Sequence, residues 1–237
     1  MEYLYSFDCS IVVPYMFAIM KRFEDTYTHK GMRNQLIKLL REKGITDENV
    51  LEAMTTIPRH FFLDSAFDKI AYEDRAFPIA ADQTISQPYT VAYQTQLLEI
   101  KKGDKVLEIG TGSVYQTTIL AEMGAWVHTI ERQKKLFEEQ KGYYFRSKYP
   151  NIKFFFGDGF EGLKTYAPFD KIIITAAAPF IPPKLVEQLK TGGYMVIPVD
   201  EGDAQRMMRL TKQADGSYTQ QMFDQFSFVP MLTGKNQ

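Results

Sequence analysis

The chain of 237 residues contains very little cysteine, little histidine and no excess of charge of either sign. Its single cysteine, Cys9, excludes a disulfide framework. The three histidines, His29, His60 and His128, do not fall at a spacing typical of a metal site, so no metal is expected. With 28 basic and 29 acidic residues and no block of like charge, the sequence gives no indication of nucleic-acid binding.

Long apolar runs are also missing. The stretch 11–20 is about half the length that a membrane-spanning helix needs, and it contains Pro14. Glu2 and Asp8 precede it at positions where a signal peptide would carry positive charge. We therefore expect a soluble, cytoplasmic protein without membrane association, most simply a monomer.

The most informative part of the sequence is a glycine turn between two apolar strands. An apolar run ends at Gly110, Gly112 follows, and a second apolar run ends on Glu131. Glycine lets the backbone turn tightly and approach a ligand closely. A carboxylate at the tip of the next strand can accept hydrogen bonds from ribose hydroxyls, as it does in dinucleotide sites. The pattern predicts a nucleotide-binding unit with Glu131 on the ribose.

Two residues of this turn distinguish between cofactors. A dinucleotide fingerprint requires a third glycine where Tyr115 stands, which argues against NAD and FAD. Glu108, two residues before the first glycine, fits a cofactor whose amino-acid end is positively charged, as in S-adenosylmethionine. The turn therefore indicates a methyltransferase loop, although an ordinary glycine turn between strand and helix would look similar.

The remainder of the chain predicts an α/β fold. Strands are predicted at 105–109, 126–130, 152–156, 170–175 and 194–199, alternating with helices at 115–123, 132–147 and 182–190. This alternation favours a doubly wound, mostly parallel sheet with helices on both faces. Two further runs, 205–211 and 218–226, flank a turn at Asp215-Gly216 and predict a C-terminal antiparallel hairpin.

Three segments are expected along the chain, the last two forming one compact domain. Residues 1–30 are rich in Tyr, Phe and Met and form an N-terminal extension of unknown role. Residues 31–104 carry a helix at 32–43, a second helix that Thr46 or Asp47 caps and Ile57-Pro58 ends, and a third helix at 89–99. They also carry an irregular loop, 61–88, interpreted as a substrate lid. Residues 105–237 form the core that binds S-adenosylmethionine. Gly44 is expected to end the first helix, and Gly192-Gly193 the helix at 182–190.

Several local strings resemble the protein-L-isoaspartate O-methyltransferases, a family of class I, Rossmann-like methyltransferases with a seven-stranded sheet. The resemblance extends from about residue 32 to residue 234. The string Gln83-Thr84-Ile85-Ser86-Gln87-Pro88 is its most specific part. The others are 57–62, 71–75, 108–116, 157–159, 175–179 and 229–234.

The resemblance implies a protein repair enzyme that methylates the free α-carboxylate of L-isoaspartyl residues in aged proteins and peptides, with S-adenosyl-L-methionine as methyl donor and S-adenosyl-L-homocysteine as product. It implies Ser86 as the catalytic and substrate-binding residue, in a loop that closes over the cofactor. Further substrate contacts are implied for Val229, Pro230 and Thr233. The cofactor-binding residues implied by the family and the loop pattern together are Gln83, Thr84, Ile85, Glu108, Gly110, Gly112, Gln116, Glu131, Asp158 and Gly159.

One position departs from the family. A third glycine is usual where Val114 stands, and a β-branched residue would be strained there if the backbone required positive φ. We expect the loop to bind nevertheless, because residues at helix starts often have ordinary φ. The alternatives are a family member that lost activity and serves as a binding protein, and a methyltransferase for another carboxylate, a small molecule or nucleic acid. Ser86 has an alternative role too, as the N-cap of the helix that Pro88 opens.

Overall fold

The computed structural model describes residues 23–236. The first 22 residues, and with them most of the predicted N-terminal extension, lie outside the described residues. Within residues 23–236, no helix has both the length and the apolar character needed to cross a bilayer.

A seven-stranded sheet forms the centre of the molecule, with the strand order β5-β4-β3-β6-β7-β8-β9. The first five strands in that order are parallel, and β8 and β9 complete the sheet as an antiparallel hairpin. This confirms the predicted Rossmann-like fold. The strands are β3 (Lys105–Ile109), β4 (Trp126–Glu131), β5 (Ile152–Phe156), β6 (Phe169–Ile174), β7 (Leu189–Asp200), β8 (Gln205–Lys212) and β9 (Tyr218–Phe226).

Successive side chains of the central strands enter two different cores, because side chains alternate across a strand. Val106, Ile173 and Val196 pack into one apolar cluster, and their neighbours Leu107 and Ile172 pack into the other. The first cluster is covered by four helices, and the second by α6 and the C-terminal segment. The helices are α1 (Tyr27–Glu42), α2 (Glu48–Thr56), α3 (Pro88–Leu98), α4 (Tyr115–Glu122), α5 (Lys134–Glu139) and α6 (Pro183–Gln188).

The helix predicted at 32–43 begins five residues earlier, at Tyr27. Thr26 caps it, accepting a hydrogen bond from the backbone N–H of His29, whose side chain in turn bonds to the backbone of Thr26. Sequence periodicity missed this start because a histidine replaces the usual Glu or Gln of the capping box. At the other end Gly44 adopts φ +94° beyond the last turn, as predicted. Of the two predicted cap residues of α2, Thr46 and Asp47, it is Asp47 that caps the helix.

Two predicted helices are too long. The helix expected at 132–147 is helical only as α5 and a short 3-10 turn, Gln140–Gly142. The helix expected at 182–190 ends at Gln188, and Gly192-Gly193 lie inside β7. A Cβ on Gly193 would meet the carbonyl oxygen of Asp170 at 2.6 Å, so the glycine is needed for strand packing and not to end a helix.

The lid predicted as irregular contains regular structure. Two 3-10 helices, Arg59–Phe62 and Ser65–Ile70, precede a small antiparallel ladder of β1 (Phe77–Pro78) and β2 (Thr84–Ile85). The ladder sets Ser86, the residue after β2, at the start of α3.

Candidate active site

The glycine turn after β3 requires glycine at its first position. Gly110 adopts φ +95°, and a Cβ there would lie 2.6 Å from the hydroxyl oxygen of Thr175. That hydroxyl donates to the carbonyl oxygens of Ile109, at 3.0 Å, and Gly110, at 2.8 Å. Thr175 thus fixes the turn from the end of β6, and any side chain at 110 would displace it.

Val114 does not have the ordinary φ expected for a residue at the start of a helix. Its φ is +71° and its ψ is 1°, so a β-branched residue occupies the left-handed region immediately before α4. That expectation was wrong, because the backbone must reverse between Gly112 and the helix whatever side chain it carries. The valine side chain is buried and lines a space with Phe61, Tyr143 and their neighbours, and Glu131 does not line that space.

Glu131, at the end of β4, anchors the loop from below. One carboxylate oxygen accepts from the backbone N–H of Gly112 at 2.9 Å, and the other accepts from Gln133 at 2.8 Å. Burial raises the pKa of this carboxyl, and the backbone N–H groups oppose the shift by stabilising the charged form. Each carboxylate oxygen keeps a lone pair that a ribose hydroxyl could engage.

A cavity lies above these groups, where the glycine turn faces the lid. Eleven of the residues predicted for the site line it: Gln83, Thr84, Ile85, Ser86, Gly110, Gly112, Gln116, Glu131, Gly159, Val229 and Pro230.

A second, more open groove continues from this cavity between the lid and β9. Thr84, Ser86, Thr175 and Val229 line both spaces. Ser86 therefore lies where a ligand in the cavity and a ligand in the groove would meet. Of these four residues, only Thr175 was not predicted as a site residue, although the family-like string 175–179 begins with it.

Gln116, in the first turn of α4, uses only one of the two polar groups of its side chain in a hydrogen bond. Its amide nitrogen donates to the hydroxyl of Thr95 at 2.9 Å, while its amide oxygen is buried without a partner among the described residues. Since Gln116 lines the cavity, this free acceptor, the close approach at Gly110 and the carboxylate of Glu131 together fit a polar ligand such as S-adenosylmethionine.

Three predicted residues do not line the cavity. Glu108 is fully buried beneath it, with one oxygen accepting from the hydroxyl of Thr117 at 2.5 Å and the other without a partner in the described chain. Burial raises the pKa of Glu108 to about 8. Asp158 accepts from the backbone N–H of Gly234 at 2.7 Å, and the carbonyl of Thr233 accepts from Arg132 at 3.4 Å. These two residues tie the C-terminal segment to the rim.

Ser86 is not a helix cap. Gln87 occupies the N-cap position of α3 and makes no capping bond with its side chain. The free backbone N–H of Tyr89 donates instead to the carboxylate of Asp74, at 2.8 Å. Asp74, thirteen residues before Gln87 and bonded to its amide as well, does the capping. The hydroxyl of Ser86 is therefore not required for the helix.

Two of the three histidines come together with an acidic residue in the N-terminal layer. Ligand atoms of Asp25, His29 and His60 lie within 4.8 Å of one another. Each already has a protein partner, since Asp25 accepts from Arg33 at 2.8 Å and both rings form hydrogen bonds. The rings are also stacked, with centroids 3.8 Å apart, so they do not point in their planes toward one ion.

Comparison with known proteins decides the family. The sequence model of the protein-L-isoaspartate(D-aspartate) O-methyltransferases matches residues 31–237. The chain belongs to this family. A protein-L-isoaspartate O-methyltransferase of Christiangramia forsetii is 54% identical over 213 residues, which cover 90% of this chain and all of the relative. One from Cytophaga hutchinsonii is 55% identical, covering 90% of this chain and 96% of the relative.

Solved structures of the family share the fold. A protein-L-isoaspartate O-methyltransferase with 26% identity superposes with a TM-score of 0.75, covering 84% of this chain and 65% of that one. A Plasmodium falciparum structure described as an enzyme of the same kind, in complex with S-adenosyl-L-homocysteine, gives a TM-score of 0.74 at 24% identity, covering 84% of this chain and 98% of that one. The family assignment confirms the resemblance drawn from the sequence.

Proposed function

We propose that this protein transfers a methyl group from S-adenosyl-L-methionine to the free α-carboxylate of L-isoaspartyl residues in proteins and peptides. Membership of the family supports the reaction. The observation that carries the assignment to this chain is the position of Ser86, where the cavity behind the glycine turn opens into the groove beside β9. The donor then occupies the closed side and the peptide the open side.

Different cavity residues bind different parts of the donor. Glu131 takes the ribose, the backbone at Gly110 and Gly112 allows close approach, and Gln116 offers a free acceptor. Gln83, Thr84 and Ile85 close the cavity from the lid. When bound, the donor supplies a methyl group on a positively charged sulfur, and its transfer to a carboxylate leaves the electron pair of the broken bond on sulfur.

The acceptor needs no general base, because a carboxylate with an ordinary pKa of about 4 is already ionised at neutral pH. Catalysis then depends on orientation, which can contribute roughly 7 to 11 kcal/mol in favourable cases. Ser86 donates a hydrogen bond to the substrate carboxylate and aims one oxygen at the methyl carbon. It does not act as a nucleophile, since its hydroxyl has no histidine beside it in the described chain. Val229, which lines the groove, and Pro230 beside it in the cavity wall contact the peptide backbone.

The buried position of Glu108 suggests a different role from direct contact with the donor. A carboxyl whose pKa is about 8 is mostly neutral at pH 7, and a cation nearby would lower that value. Glu108 therefore acts on the amino-acid end of the donor from beneath the loop. Asp158 acts on the adenine end, while it holds the C-terminal segment in place.

The test is an assay with donor labelled in its methyl group and two peptides of the same sequence, one aspartyl and one isoaspartyl. We expect base-labile label on the isoaspartyl peptide alone. A third peptide, with the isoaspartyl α-carboxylate converted to an amide, should remain unlabelled. Label on none of the peptides would favour a binding protein, and label on a small carboxylate but on no peptide would favour a different substrate.

A further inference from the structure

Arg59 is the largest fully buried side chain of the chain's described part, with none of its surface exposed. It is the first residue of the 3-10 helix Arg59–Phe62, which follows α2 and leads into the lid, and Pro58 stands at the N-cap of this helix. Burying a guanidinium away from water is costly unless it is paired with an opposite charge. A lone arginine in such a place therefore needs an explanation.

The guanidinium of Arg59 joins the lid to the cofactor loop. Its Nε donates to the carbonyl of Ala71 at 3.1 Å, and its Nη2 donates to the carbonyl of Ser86 at 2.8 Å. Its central carbon lies 5.0 Å from the ring centre of Tyr115, the first residue of α4. Nη1 has no hydrogen-bond partner among residues 23–236. Arg59 thus contacts both sides of the site.

The positive charge is not neutralised by these contacts. Burial lowers the pKa of Arg59 to about 10, so the group stays charged at pH 7. Its hydrogen bonds in the described structure go to carbonyl oxygens. The nearby carboxylate of Asp74 is bonded to Lys43, at 2.6 Å, and to the start of α3. Arg33, the other buried arginine among residues 23–236, is by contrast paired directly with Asp25.

We propose that Arg59 is a positioning residue for the acceptor, fixing Ser86 through its carbonyl and placing behind it a positive charge that favours a carboxylate ligand. This inference rests on the proposed function. The hydroxyl of Ser86 can donate to an acid or to an amide alike, so it does not by itself distinguish them. The charge of Arg59 does, because it attracts only the anion.

The charge also separates substrate from product. The carboxylate loses its charge when it becomes a methyl ester, so the attraction to Arg59 is present before transfer and absent after it. An interaction stronger in the ground state than in the transition state lowers KM, and it also lowers kcat because it raises the barrier from the bound complex. Arg59 should therefore act mainly on peptide affinity and on release of the ester.

The experiment compares how the enzyme binds acid and amide. The isoaspartyl peptide is the substrate, and the same peptide with its α-carboxylate as an amide is a competitive inhibitor. We expect the unmodified protein to favour the acid by roughly tenfold or more, the size of effect that a nearby unpaired charge produces at an effective dielectric of about 20. In Arg59→Gln the preference should fall to about twofold or less.

Two further variants isolate the charge from the fold. Arg59→Lys keeps the charge, so it should retain most of the preference for the acid. Arg33→Gln removes the other buried arginine, also packed near a tyrosine ring, and should lower stability while leaving the preference unchanged. Binding of S-adenosylhomocysteine checks that each variant folds.

Several results would overturn the proposal. These are an unmodified protein that binds acid and amide equally, an Arg59→Gln variant that keeps the full preference, or an Arg59→Lys variant that loses it. The measurement on the unmodified protein and that on Arg59→Lys decide the matter if Arg59→Gln does not fold. A protein that methylates no isoaspartyl peptide at all would instead contradict the proposed function.

Discussion

The two halves of the site, the glycine loop and the lid, each bury an ionisable group without an opposite charge beside it. The two groups respond differently to the free-energy cost of burying a charge. Beneath the glycine loop, burial raises the pKa of Glu108 to about 8, so the carboxyl is mostly neutral at pH 7. Behind the lid, burial lowers the pKa of Arg59 only to about 10, so the guanidinium stays charged. The ordinary pKa of a carboxyl lies close enough to pH 7 for burial to raise it past neutrality, so the group can lose its charge. The ordinary pKa of arginine lies too far above pH 7 for burial to lower it that far.

This difference separates the duties of the two halves. In the loop half, the carboxyl of Glu108 becomes charged only when a cation binds nearby. Such a site suits a sulfonium donor with an ammonium group. The lid half keeps a permanent positive charge, which suits an anionic acceptor. Substitutions in the loop half should therefore change donor affinity and stability, and substitutions in the lid half should change peptide binding and turnover.

The largest expected effect is on pH-dependent stability in Glu108→Gln. Because the folded pKa is raised from 4.5 to about 8, the folded protein holds a proton that the unfolded chain releases. The stability contributed by this group is present at low pH and is lost as pH rises through that window. The variant lacks the titration, so relative to the unmodified protein it should gain about 1.4 kcal/mol per pH unit across the window.

Urea unfolding of both proteins at several pH values between about 5 and 8 measures this slope. Glu52→Gln, an exposed carboxylate on α2, is the matched control and should leave the slope unchanged. If the two stability curves of the unmodified protein and Glu108→Gln run parallel, Glu108 is already charged and the comparison between the halves is lost.

The next effect is on donor affinity in Glu131→Ala. The variant loses the acceptors for the ribose and also the tether on Gly112. Two charge-assisted hydrogen bonds together contribute about 3 to 4 kcal/mol, so the Kd for S-adenosylhomocysteine should rise more than a hundredfold. Calorimetric titration measures it, with Glu52→Ala as control. A rise in KM for the peptide with donor affinity intact would show that Glu131 acts on the peptide and not on the donor.

Ser86→Ala should give a smaller effect confined to the lid half. Loss of one hydrogen bond to a charged group, about 1.5 to 2 kcal/mol, lowers kcat roughly 10- to 30-fold with isoaspartyl peptide. The affinity for S-adenosylhomocysteine should stay within about twofold, since the backbone that Arg59 holds is unchanged. Thr55→Ser, a mild change at an exposed position of α2, serves as control. Unchanged turnover would remove Ser86 from the catalytic residues.

The smallest effect concerns Val114. Glycine at this position relieves the left-handed backbone, a gain of about 1 to 2 kcal/mol, but loses a buried side chain of similar value. Val114→Gly should therefore change the free energy of unfolding by less than about 1 kcal/mol. Val114→Ala loses methyl groups and keeps the strain, so it should be the less stable variant in urea unfolding. Alanine as the more stable of the two would show that the positive φ is not required.

The sequence was sufficient for the parts of the molecule that local pattern determines. The parallel strands, the hairpin around Asp215-Gly216 and the positions of Gly110 and Glu131 follow from periodicity and turn chemistry. What it missed depends on partners far along the chain. Asp74 caps a helix that begins fourteen residues later at Pro88, and Arg59 bonds to Ser86 across 27 positions. Such contacts leave no periodic signal, and the backbone angle of Val114 leaves none either.

The central claim is that the cavity above Glu131 holds an S-adenosyl donor even though Val114 occupies a left-handed position. Calorimetric titration of the unmodified protein with S-adenosylmethionine tests it directly. The account predicts one-to-one binding, with Val114→Gly within about threefold in Kd, because the valine lines the space beside Phe61 and Tyr143 and not the donor cavity. No detectable heat at millimolar donor, with binding restored in Val114→Gly, would contradict it.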